Sequence, residues 1–77
     1  MNYEFTGEEK VWCGHTLHRI RATVDMPERG VKAGDLGGWI EREDNLFGNA
    51  WVSGNAQVYG DAWVYGNAWV YGNALVY

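Results

Sequence analysis

The chain is almost without proline and cysteine, holding one of each in 77 residues. With Cys13 as the single thiol, no intrachain disulfide can staple the fold, and this composition suits a reducing compartment better than a secreted scaffold. No run of about 18 apolar residues occurs, which excludes a membrane-spanning helix. The stretch from Met1 to Lys10 is acidic and has no apolar core of a secretory signal. A cytoplasmic protein with no membrane partner is expected. Basic residues are scarce too: six Lys and Arg against ten Asp and Glu give a net charge of −4. Non-specific DNA binding depends on neutralising phosphates and is not expected.

Charge is also absent from one half. Residues 1–45 carry every Lys and Arg and nearly all the acids, whereas residues 46–77 carry only Asp61. What fills that second half is a repeat. Leu46, Val52, Val58, Val64, Val70 and Val76 recur at a spacing of six, and the other columns fall into register with them. Gly stands at 48, 54, 60, 66 and 72, Asn or Asp at 49, 55, 61, 67 and 73, and Ala at 50, 56, 62, 68 and 74. The remaining columns are mostly aromatic.

A six-residue period smears around a helix of 3.6 residues per turn, and Gly with Asn in every repeat adds a propensity penalty, so helix is excluded here. Six is a multiple of the strand period of two. A short strand around each valine therefore turns that valine to the same side in every repeat, while the Gly-Asn pair marks a bend. A recurrent bend at fixed spacing winds the chain into a solenoid.

The pattern Val-x-Gly-Asn-Ala-x resembles the hexapeptide repeat of the LpxA-like, or bacterial transferase hexapeptide, superfamily. The segment from Val31 to Leu46, followed by Gly-Asn-Ala-Trp-Val, is similar to the entry region of YdcK-like hexapeptide proteins of bacteria and phages. The first resemblance implies a left-handed parallel β-helix with three hexads per triangular coil. Residues 18 apart then stack: Val52 with Val70, Val58 with Val76, Trp51 beside Trp69 and Tyr59 beside Tyr77. The expected fold class is all-β, a small antiparallel β cap over residues 1–45 followed by a short β-helix over residues 46–77, with fewer than two full coils. The second resemblance implies a phage or prophage origin and a bacterial host.

Within the cap, Tyr3 to Thr6 and Thr16 to Val24 read as strands. Cys13-Gly14-His15 reads as a hairpin turn, Met26 to Gly30 as a second turn and Gly34 to Gly38 as a third, routing the chain into the coil. A solenoid of so few layers lacks neighbours to bury it. Its last strand, Leu75-Val76-Tyr77, has an open edge that templates pairing with another chain. The expected partner is a second copy, as an end-to-end dimer through Leu75, Val76 and Tyr77, with a side-by-side trimer as the competing arrangement.

If the valines face inward, Trp51, Trp63, Trp69, Tyr59, Tyr65 and Tyr71 lie mainly outside and form a ligand or partner surface, or else ladder structurally on the coil. Arg19 and Arg21 share a strand face and are candidates for holding an anion, although a solvated face explains them as well. Cys13, His15 and His18 have metal-capable side chains, but no fourth ligand is evident and the two histidines have opposite strand parity, so no metal or other cofactor is expected. Glu41, Glu43 and Asp44 read as a solvated acidic edge. Hexapeptide acyltransferases use a histidine on the coil as general base, and this chain has none beyond His18. The expectation is a non-enzymatic binding or structural module. One version binds and inhibits a host protein, such as part of a defence system. The alternative is a protein that sequesters a nucleotide or cyclic oligonucleotide at subunit junctions.

Overall fold

The computed structural model describes residues 2–77. It is all-β, and no α-helix occurs among the described residues, so none is long and apolar enough to cross a membrane. Strands β1 (Tyr3–Trp12), β2 (His15–Ala22) and β3 (Leu36–Ile40) come from the first half, and the two-residue strands β4 (Trp51–Val52), β5 (Gln57–Val58), β6 (Trp69–Val70) and β7 (Leu75–Val76) from the repeats. They form a mixed five-stranded sheet in the order β1-β2-β3-β5-β7 and a separate parallel pair, β4-β6.

β1 runs well past Thr6. Gly7, at φ 94°, sits in an irregularity between Phe5 and Glu9 that lets the ladder with β2 resume through the polar run at 8–10. Cys13 and Gly14, both at positive φ, close the hairpin. β2 stops at Ala22, leaving Val24 exposed. Along β2 the alternation is kept: Ile20 and Ala22 enter the main core, while Leu17, of the other parity, joins Trp39 and Tyr59 in a smaller cluster on the opposite side of the sheet.

The expected turn at Gly34 to Gly38 is a correction. Only its beginning bends, where Ala22 N–H donates to the Asp35 carbonyl and Gly34 N–H to that of Ala22. Leu36 to Gly38 are strand. The glycines serve close approach: a Cβ on Gly37 would lie 2.7 Å from both Ile20 Cγ1 and the Val52 carbonyl, and one on Gly38 2.6 Å from the Ala56 carbonyl.

β3 joins the two halves. It pairs antiparallel with β2 and parallel with β5, Trp39 opposite Gln57 and Ile40 opposite Val58. Beyond it, every parallel pair links residues 18 apart: Leu46 with Val64, Trp51 with Trp69, Val52 with Val70, Gln57 with Leu75 and Val58 with Val76. The repeats thus form a lower layer, residues 45–59, and an upper layer, residues 63–77. Phe47, Asn49, Trp51, Ser53, Asn55, Gln57 and Tyr59 each donate an N–H to the carbonyl 17 residues ahead. Gly48, Gly54, Gly60, Gly66 and Gly72 all adopt φ between 64° and 68° at the bends, a conformation that explains why that column admits only glycine.

The first half sits on the lower layer and satisfies it with side chains. Buried Asn45 accepts from Arg42 N–H through Oδ1 and donates through Nδ2 to the Ala62 carbonyl at 2.8 Å. Arg42 donates to the Gly60 carbonyl and to Asp61 Oδ1 at 3.1 Å. Asp61, the one acid in the Asn column, stands at the bend where that cation lands. Tyr3 reaches the carbonyl of Glu43 at 3.1 Å, and burial, with Glu43 and Asp44 nearby, pushes its phenol up to about 12.

Candidate binding surface

The aromatic columns flanking each valine do not share one fate. Trp63, Tyr65, Trp69, Tyr71 and Tyr77, all in the upper layer, are exposed. Trp63 and Tyr65 lean on one another with ring centroids 5.2 Å apart, as do Trp69 and Tyr71. Trp69 also donates its indole N–H to Ser53 Oγ at 3.1 Å. Leu75 is exposed and Val76 half-buried. These residues form a belt with no charged side chain.

Trp51 and Tyr59 correct the expectation that these aromatics face outward. Trp51 is fully buried, because Gly37 brings β3 against its ring and the first half packs over it with Ile20, Ala22 and Met26. Its indole N–H has no hydrogen-bond partner among the described residues, nor does Oε1 of buried Gln57. Tyr59 is buried against Leu17 and Trp39, stacked on Tyr77 at 5.3 Å and in ring contact with His15 at 4.8 Å. Neither is available to a ligand. Phe47, which the repeat reading did not single out, is exposed and meets Trp63 edge-on at 5.6 Å; its place in the column just after Leu46 was the available signal.

The two candidate arginines are engaged within the chain. Arg19 donates from Nε to the Gly37 carbonyl at 2.9 Å and lies over the Trp39 ring, which Lys10 also approaches. Arg21 grips Glu4, with Nε 2.8 Å from Oε2. Arg29, which pattern reading passed over, has a nearly buried side chain. Its guanidinium donates to the Asn67 carbonyl at 2.7 Å and to Glu28, strapping the 27–29 turn to the upper layer beside Trp69.

The metal-capable residues are dispersed. His15 Nδ1 lies 3.0 Å from Glu41 Oε2, His18 pairs with Glu9 at 3.4 Å and stacks on Phe5, and Cys13 is exposed. No group of three metal-capable side chains occurs among the described residues. Glu41 is not a merely solvated acid: its Oε1 accepts the Gly60 N–H at 2.7 Å. That bond first, and His15 second, hold its carboxyl below the usual carboxylate range. Sequence gave no hint of this contact, which joins residues brought together only by the β3-β5 ladder.

No protein-family model matches the chain, and no curated protein matches it either.

Proposed function

We propose that residues 46–77 wind as a three-sided, left-handed parallel coil, and that the protein is a non-enzymatic assembly module that docks onto a second copy of itself through the upper layer. The observation that carries this reading is a burial contrast between equivalent repeat positions. Ala50, Val52, Ala56 and Val58 of the lower layer are each 0 % exposed. Ala68 and Ala74 of the upper layer are exposed, and Val70 and Val76 only half-buried. Val64 stays in the core, but the other side chains that complete it in one layer are more exposed in the next, beside an aromatic belt with no charged side chain.

The coil is supported by the common 18-residue register at all three parallel pairings and by the identical left-handed bends. The non-enzymatic reading rests on the two histidines, both engaged by carboxylates on the antiparallel part of the sheet rather than standing on the repeats. The nucleotide alternative relies on Arg19 or Arg21, and both are held by intrachain partners.

Light scattering on the 77-residue chain tests this. A dimer at micromolar concentration that Val70→Asp or Val76→Asp converts to a folded monomer is expected. A wild-type chain that stays monomeric up to millimolar concentration overturns the reading.

A further inference from the structure

The ladder between the layers fixes which way each polar group of the upper layer points. Phe47, Ser53 and Tyr59 donate upward to Val64, Val70 and Val76, and the Asn45 carbonyl accepts from Val64. In a parallel ladder one residue directs both its N–H and its C=O to the same neighbour. The 18-residue register therefore places the N–H groups of Tyr65, Tyr71 and Tyr77, and the carbonyls of Trp63, Trp69 and Leu75, along the upper edge. Each side of the edge reads acceptor first, then donor two residues later.

A two-fold rotation about an axis perpendicular to the coil reverses the strand direction and turns that order into donor first, acceptor second. The edge is thus complementary to its own copy. Whichever of the three sides the axis crosses, residues 63, 69 and 75 of one copy face residues 65, 71 and 77 of the other. We propose that two chains dimerise by antiparallel pairing of their upper layers, with each of Trp63, Trp69 and Leu75 opposite a tyrosine of the second copy. This rests on the coil-and-assembly reading above and specifies its geometry.

Two further observations agree with it. Residues 62–77 carry no charged side chain, so the side-chain charges that sum to −4 lie outside the contact. The pairing also brings the half-buried valines of the two upper layers together, covering the apolar positions that stand open in one chain. A side-by-side trimer leaves both the edge and those valines uncovered.

Amide exchange followed by NMR on the 77-residue chain tests the geometry. Tyr65, Tyr71 and Tyr77 amides are expected to be protected at high concentration and to lose protection on dilution, while Phe47, Ser53 and Tyr59 stay protected at both. Oligomers by light scattering with those three tyrosine amides exchanging freely overturn the edge pairing and leave self-association standing; a monomer overturns both. A charge pair then locates the axis. Trp69→Lys is mixed in turn with Tyr77→Glu, Tyr71→Glu and Tyr65→Glu. These restore dimer for an axis through the Val64, Val70 or Val76 side respectively. One mixture is expected to gain about tenfold in affinity over either variant alone, the effect of one close charge pair. Rescue by none of the three overturns the pairing.

Discussion

The lower and upper layers are built from the same six-residue motif, yet they behave as different materials. Trp51 and Trp69 stand opposite one another in register, one fully buried and the other 44 % exposed. Ala50 and Ala56 are wholly buried, whereas their counterparts Ala68 and Ala74 are exposed. The difference lies in what sits above: the first half of the chain covers the lower layer, and the lower layer itself covers only one side of the upper. A repeat motif specifies the direction of a side chain; its burial depends on how many neighbouring layers exist.

The sharpest way to break this comparison is at the tryptophans. At concentrations where the chain is monomeric, Trp51→Ala should cost about 3–5 kcal/mol in denaturant unfolding, as for a large buried aromatic, against about 1 kcal/mol or less for Trp69→Ala. Equal losses would mean that the layers are equally packed. Next come the glycines. Gly38→Ala drives a Cβ against the Ala56 carbonyl, which already accepts the Trp39 N–H at 3.0 Å, and should cost roughly 1–3 kcal/mol as overpacking. Gly66→Ala meets no atom within 4 Å and should lose only the price of its left-handed backbone, about 1 kcal/mol.

Asn45→Ala leaves the Arg42 N–H and the Ala62 carbonyl without their buried partner, for a loss of about 1–3 kcal/mol. Asn67→Ala, at an exposed corner, should stay within about 0.5 kcal/mol. The pH dependence belongs to the junction. Glu41 is held below its unfolded value, so its contribution is present above the ordinary carboxylate range and lost as pH falls through the folded value; Glu41→Gln should flatten that acid limb. Tyr3 is raised to about 12, so its contribution is intact below the ordinary phenol value of 10.0 and declines between there and about 12. Tyr3→Phe should remove that alkaline limb in a urea titration followed across pH.

Much of this was legible in the repeats. The valine column and the bends follow from spacing, because a period of six keeps strand parity and glycine alone tolerates the positive φ at each corner; the 18-residue stacking was expected only from the resemblance to hexapeptide-repeat proteins. The hairpin at Cys13-Gly14 was legible for the same local reason. The stretch at Leu36-Gly37-Gly38 was not. Two consecutive glycines signal a turn when only neighbours along the chain are considered, and here they answer to Val52 and Ala56, far away in sequence. Likewise nothing in the spelling of the repeats marked Trp51 and Tyr59 as interior, or Arg19 and Arg21 as already held.

The sequence by itself determined the all-β character and the direction of each repeat side chain, since both come from periodicity and from backbone angles that few residues can adopt. Which of those side chains is buried and which polar groups are satisfied were decided only by the tertiary structure. Burial depends on distant chain arriving at a given face, and β3 with its two glycines arrives at one layer and not the other.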